Sequence, residues 1–279
     1  MKQQVLLDWF DQNKRDLPWR RTTPWGVMVS EFMLQQTPVH RVLPIWEEWM
    51  GRWPTPLDLS LAKKSEVISA WGRLGYPRRA LRLYESATVI ARDFHNEVPS
   101  NPEILRSLPG VGEYTAAAIA AFAFNESTLV LDINIRRVFA RVIDGVEHPT
   151  AAPTQLERKS RKQLVPLEGA KWAAATMEFG ALICKSKNPA CEACPLTRQC
   201  AWRKAGYPKS GLIRKSQSWV GTDRQCRGTV VQALRENPKL SKQKLSALWG
   251  DQSQLEKALK TLIADGLIET TGKSFQLPT

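Results

Sequence analysis

Nowhere does this chain hold an apolar run approaching the roughly 20 residues that cross a bilayer, so a membrane-spanning helix is excluded. Its first 20 residues include Asp8, Asp11 and Asp16 and lack the apolar centre of a signal peptide. A cytoplasmic protein is therefore expected, with no membrane insertion. No repeat of solenoid period is evident. Strand-like patterning is scarce and confined to residues 267–277. Acidic residues are the minority charge: 27 Asp+Glu against 40 Lys+Arg leaves a net charge of +13. That excess favours a polyanionic partner, nucleic acid before an anionic membrane surface.

Cysteine is scarce but clustered. Of the five cysteines, four are close together, Cys184, Cys191, Cys194 and Cys200, in a C-x6-C-x2-C-x5-C pattern. Cys226 stands apart and reads as a bystander. In a reducing compartment such a cluster points to metal ligands before a disulfide framework. Four thiolates suit either zinc or a [4Fe–4S] cluster.

What is abundant is helical patterning. Thr22-Thr23-Pro24 looks like a cap and a first-turn proline, opening a helix that runs to Gln36. Pro38 or Pro44 opens a second, to Met50. Further helices are expected over 62–71, 77–94, from 101, and over 114–124, 133–143, 155–164 and 170–183. Residues 205–221 are rich in Gly, Ser, Pro and basic residues and read as a linker. Beyond them come three helices, 223–235, 241–249 and 253–264, then a short β-wing around Thr270-Thr271-Gly272-Lys273. That order resembles a winged helix.

Leu108-Pro109-Gly110-Val111-Gly112 lies between two helical patterns. Glycines there permit torsions closed to other residues and let a phosphate approach the backbone. The following helix presents free N–H groups and a positive dipole end. This is the logic of a helix-hairpin-helix element gripping DNA backbone without reading sequence.

With that hairpin beside the cysteine loop, the chain resembles the base-excision glycosylases of the endonuclease III superfamily, and within it the adenine-excising branch. The matching stretches are Leu17-Pro18-Trp19-Arg20, Ser30-Glu31-Phe32-Met33-Leu34-Gln35-Gln36-Thr37, Trp71-Gly72-Arg73-Leu74-Gly75-Tyr76, the hairpin, Leu131-Asp132-Ile133-Asn134 and the four cysteines. They span roughly residues 1–204. The resemblance implies an all-α, two-lobed fold with a small C-terminal winged-helix-like domain. A six-helix barrel-like domain with the hairpin covers 17–127, and an iron–sulfur domain covers 1–16 and 128–204. The linker follows over 205–221 and the last domain over 222–279. The irregular cysteine spacing matches this superfamily's [4Fe–4S] loop; zinc sites more often show two C-x2-C pairs, and only Cys191 and Cys194 form one here.

The resemblance also assigns roles. Glu31 protonates the flipped adenine so that it can leave. Its helical neighbours Val27, Met28 and Leu34 are apolar, and such a setting raises a carboxyl's pKa. Asp132 reads from the residues as a helix N-cap kept ionised by N–H groups, and the resemblance makes it the anion that stabilises the sugar's cationic state. Asn134 helps to order the site. At the position where lyase members carry a Schiff-base lysine, this chain has Tyr114, which cannot form one; Arg136 likewise replaces a lysine found in some relatives. The implied enzyme is a monofunctional glycosylase. Gln36 and Tyr76 match residues inserted around the opposite base, although Pro77 departs from a common second tyrosine. Gly110, Val111 and Gly112 hold a phosphate. Lys185 and Lys187, with Arg198, Arg203 and Lys204, offer cations to others. The implied partner is double-stranded DNA carrying an A:8-oxoguanine or A:G mispair, bound by a monomer and, in a bacterium, on the nucleoid. A thymine or uracil mismatch glycosylase and a non-catalytic DNA-binding protein are the alternatives. Retention of both Glu31 and Asp132 argues against the latter. The adenine branch usually ends in a larger lesion-reading domain, for which this chain has no room after residue 205.

Overall fold

A computed structural model describes residues 2–211 and 219–279. The centre of the expected linker, 212–218, lies outside the described residues. The helices are α1 Gln3–Asn13, α2 Pro24–Leu34, α3 Val39–Arg52, α4 Pro56–Ser60, α5 Lys64–Ala70, α6 Arg78–Asp93, α7 Pro102–Ser107, α8 Glu113–Phe124, α9 Ile133–Phe139, α10 Gln155–Lys162, α11 Gly169–Leu182, α12 Ala201–Lys204, α13 Asp223–Glu236, α14 Lys242–Ser246 and α15 Gln252–Ala264. Among the described residues no helix is long and apolar enough to cross a membrane. The fold is mostly helical, as the sequence implies, with one small sheet among the described residues.

Local signals account for most boundaries. The Thr23 hydroxyl accepts from Gly26 N at 3.3 Å and caps α2. Thr55 and Asp58 form a reciprocal capping box on α4. Thr154, Thr222, Ser241 and Asp251 cap α10, α13, α14 and α15. Pro38 sits at the N-cap of α3, while Pro44 is accommodated inside that helix. The short α4 has no counterpart in the sequence reading, and α14 is shorter than expected.

The chain divides into two compact units. Of the described residues, the first comprises 2–27, 100–107 and 111–211. Its core joins Leu6 and Phe10 of α1, Ala118 and Ala121 of α8, Ile135, Val138 and Phe139 of α9, and Trp172 and Phe179 of α11. The Phe139 and Trp172 rings stack at 5.7 Å. After α9 the helix widens into one π-type turn over Ala140–Asp144. Glu178 is buried beneath this layer and bonds Arg15 N at 2.8 Å, Arg15 Nη2 at 2.7 Å and Arg20 Nη2 at 3.1 Å.

The second unit comprises, of the described residues, 28–99, 108–110 and 219–279. Here α13, α14 and α15 are followed by β2 Glu269–Thr271 and β3 Ser274–Gln276. The wing was expected to be the only strand-like segment, but Leu240–Ser241 forms a further strand, β1. The antiparallel order is β1-β3-β2, with Leu240 and Thr270 both in register with Phe275. Two residues are too few to show an alternating pattern, so β1 was invisible in sequence. Ile68 of α5 and Leu81 of α6 belong to the same apolar cluster as Val230, Leu234, Leu255 and Leu262.

Candidate functional site

In the second unit, Glu31 lies on α2 and is buried, 5% exposed, among the equally buried Met28, Phe32 and Met33. The end of that helix is held by an arginine that the sequence reading overlooked. Arg79 Nη1 donates to the carbonyls of Phe32 at 2.9 Å, Met33 at 3.2 Å and Gln35. Its Nη2 donates to Thr37 Oγ1 at 3.1 Å, Leu74 O at 3.4 Å and Gly75 O at 3.1 Å. The last carbonyls of a helix have no intrahelical partner, and a cation there also suits the dipole. One guanidinium thus ties the Gln36 turn to the Gly75-Tyr76 turn. Burial pushes Arg79 down to about 10. Gln36 and Tyr76 are exposed and both have left-handed backbones, φ 57° and 47°.

The hairpin glycines differ. Gly110 has φ 78°, and a Cβ there would meet Arg82 Cβ at 2.7 Å and Phe32 Cε1 at 3.0 Å, so only glycine fits. Ser86 Oγ donates to Pro109 O at 2.6 Å and seats the turn on α6. Gly112 has φ −87° and ψ 178°, which any residue adopts, so the expected torsional need does not apply to it. Its exposed face is open, with nothing within 4 Å of an added Cβ. The Val111 side chain is buried, so this position would offer a ligand its backbone.

In the first unit, Asp132 caps α9, accepting from Ile135 N at 2.6 Å and from Asn134 Nδ2 at 2.8 Å. The cap is as the sequence suggests. Burial of the carboxyl outweighs the N–H groups of Ile135 and Asn134 and the charge of Arg137, and lifts Asp132 above the ordinary aspartate value. Asn134 is fixed in turn. Its Oδ1 accepts from Arg137 Nη2 at 2.7 Å, and Arg137 also donates to Gly180 O at 2.6 Å and Cys184 O at 2.7 Å. Gly180 must be glycine because a Cβ would approach Asn134 Cβ to 2.8 Å. Tyr114 is partly buried against the core of this unit. Arg136 is buried and engaged with Glu157 at 2.8 Å through both Nε and Nη2.

Cys184, Cys191, Cys194 and Cys200 line one cavity with Arg141, Phe179, Ile183, Pro189 and Trp202. Among the described residues no three His, Cys, Asp or Glu side chains converge on a single ion. The donor set nevertheless fits a thiolate-bound group. Buried Arg141 places Nη1 3.6 Å from Cys184 Sγ, and donates to Lys185 O at 2.7 Å and Ser186 O at 3.2 Å. Burial pushes the Cys184 and Cys194 thiols up; Arg141 and Arg137 oppose this at Cys184. Lys185, Lys187, Arg198, Arg203 and Lys204 are exposed around the loop. Cys226 is elsewhere, buried in the apolar core of the second unit. Half-buried Arg79 and the buried Arg137 and Arg141 were missed because a basic residue in an amphipathic helix reads as solvated.

Residues 29–165 match the HhH-GPD superfamily of base excision DNA repair proteins. An adenine DNA glycosylase of Mycobacterium tuberculosis is 46% identical over 282 residues, covering 98% of this chain and 92% of that protein. One from Mycolicibacterium smegmatis is 44% identical, covering 95% and 92%. The solved structure of a thermostable thymine-DNA glycosylase resembles this one with TM-score 0.67 and 28% identity, over 73% of this chain and 95% of that one. The similarity to the mycobacterial proteins runs along nearly the whole length of both chains, and the chain belongs to the adenine DNA glycosylase family of the HhH-GPD superfamily of base excision DNA repair proteins.

Proposed function

We propose that this chain is a monofunctional DNA glycosylase that excises adenine mispaired with 8-oxoguanine or guanine and leaves an abasic site. Two carboxyls set in different environments carry the reading: a buried Glu31 on an apolar helix face and an Asp132 fixed by Ile135 N and Asn134 Nδ2. Such a pair divides acid and anion roles. Glu31 gives its proton to the departing base as the N-glycosidic bond breaks. Asp132 steadies the positive charge left on the sugar. Water adds at C1′ and loses its proton to solvent, so the products are adenine and an abasic deoxyribose. Asn134 orders Asp132 rather than touching the base.

Tyr114 offers no amine, and Arg136 is a guanidinium already engaged by Glu157, so neither supplies a Schiff base. Gln36 and Tyr76 flank the opposite base. The Gly110-Val111-Gly112 backbone takes a phosphate, and Lys185 and Lys187 take others. Cys184, Cys191, Cys194 and Cys200 would hold a [4Fe–4S] cluster. When bound, such a cluster shapes the loop that presents those lysines, and the chemistry stays on Glu31 and Asp132. The protein acts as a cytoplasmic monomer on double-stranded DNA.

Duplexes bearing A:8-oxoguanine, A:G, T:G and U:G test the assignment. The A mispairs should be processed in preference. Faster excision from T:G than from both A mispairs would replace adenine with thymine as the substrate. Glu31→Gln should abolish turnover and retain binding, and borohydride should trap no covalent complex in good yield.

A further inference from the structure

Aromatic rings and guanidinium groups alternate through the second unit, from its interior to its surface. The buried Trp71 ring lies 5.2 Å from the Arg79 guanidinium, which lies 5.6 Å from the Tyr76 ring. Arg224, in the first turn of α13, lies 5.2 Å from the same Tyr76 ring and 5.5 Å from Trp219. Its Nη1 also donates to the Tyr76 hydroxyl. Tyr76 is 44% exposed and Trp219 51%, and Arg224 is exposed between them.

The C-terminal segment is held to the surface that bears Tyr76 by more than this contact. Asp265 bonds Arg78 at 3.1 Å and Arg227 at 2.6 Å. Arg235 Nε donates to Ile68 O at 3.1 Å. The shared apolar core around Ile68 and Leu81 lies beneath. Docking therefore does not need Arg224, and Arg224 is presented at a fixed place beside Tyr76. A guanidinium has five donors in a planar fork; Nη1 gives one to the Tyr76 hydroxyl, and the exposed side chain keeps the others to offer beside two half-exposed rings. Exposed aromatic rings with an arginine between them form a platform for nucleic-acid bases.

We propose that Arg224, braced by Trp219 and Tyr76, is a specificity-determining residue that engages the acceptor edge of the purine opposite the excised adenine. The inference rests on the adenine-excision reading and its placement of Tyr76 beside that purine. Guanine offers O6 and N7 as acceptors; 8-oxoguanine keeps O6 and adds O8, with an N7–H donor between them, so O6 is the acceptor common to both. A donor-only guanidinium matches O6 of either purine, and N7 of guanine as well, and mismatches the N4 amino donor of cytosine. The short C-terminal segment thereby supplies a reader of the opposite base.

Single-turnover excision from A:8-oxoG, A:G and A:C duplexes by the full chain tests this, with affinity for a fully paired duplex measured alongside. Arg224→Ala should lower the A:G to A:C rate ratio about tenfold or more, within the range of a bidentate arginine–guanine contact, lower the A:8-oxoG to A:C ratio in the same direction, and leave fully paired affinity unchanged. Arg224→Lys keeps the charge without the fork, guards against loss of fold, and should lose most of the ratio too. A uniform fall on all duplexes, or a fall in fully paired affinity, would show a phosphate contact and overturn the proposal. Unchanged ratios in both variants would overturn it as well. A wild-type chain that excises no adenine would remove the parent reading and this proposal together; wild-type excision with unmoved variant ratios would remove only the proposal.

Discussion

Arg79→Leu should be among the most damaging single changes outside the two carboxylates. The guanidinium bonds the last carbonyls of α2 and the carbonyls and hydroxyl of the Gly75-Tyr76 and Thr37 turns. Hydrogen bonds to a charged group contribute about 1.5–3 kcal/mol each, and a buried acceptor left unpaired costs about 1–3 kcal/mol. Burial of the charge offsets part of this, the same burial that pulls Arg79 down to about 10. Two well-formed bonds, at 2.9 Å to Phe32 O and 3.1 Å to Gly75 O, then leave a net loss of about 3 kcal/mol on that scale. In a chain of this order of size that lowers Tm by about 6–12 °C. Arg79→Lys supplies a point charge that reaches one turn and not both, so it should recover only part. Because Gln36 and Tyr76 then lose their common anchor, single-turnover excision should also fall, by about 100-fold if either shifts by 1 Å. Thermal melts and excision rates of the two variants decide the matter. A leucine variant melting within about 2 °C of wild type, or a lysine variant equal to wild type in both measurements, would refute the clamp.

Three further outcomes follow from the geometry. Asn134→Ala removes a donor that lowers the Asp132 pKa, already raised by burial; the acid limb of the excision–pH profile should move up in pH, and an unmoved limb would take Asp132 out of the profile. Glu178 is held below the ordinary glutamate value: its burial raises it, but the bonds from Arg15 and the charge of Arg20 outweigh that. A depressed carboxyl contributes stability above its unfolded pKa of about 4.3 and loses it as pH falls towards the folded pKa. Glu178→Gln should accordingly cost about 3 kcal/mol at pH 7 and flatten the acid limb of Tm against pH, whereas a wild-type-like limb would discount the network. Replacing Lys185 and Lys187 with Ala should weaken binding to any duplex and flatten the log–log salt slope by about 2, and equal slopes would exclude their phosphate contacts.

Much of this molecule was legible in its residues. The helices have periodic apolar faces and Thr, Ser or Asp caps, which act locally, so their positions follow from short stretches of chain. The left-handed turn at Gly110 was legible for the same reason, since only glycine takes φ 78° against Arg82 and Phe32. The cysteine spacing, Glu31 and Asp132 pointed to chemistry because those residue types carry it. The family followed from their combination. Other features depended on contacts made at long sequence distance. Arg79 reaches back 44 residues to Gln35 O, and Arg137 joins Asn134 to Cys184, 47 residues further on. No periodicity marks such residues, because an arginine on an amphipathic helix looks solvated until packing closes over it. Strand β1 was hidden because two residues acquire strand character only from their partner β3. Sequence showed the Asp132 cap, which depends on near neighbours, but not the burial that lifts the carboxyl, which depends on everything packed around it. What the sequence determined by itself was the set of local elements and the chemistry they carry. What only the tertiary structure decided was which distant groups meet, and so which charges are desolvated and which turns are held, because desolvation and long-range hydrogen bonds are properties of the packed chain.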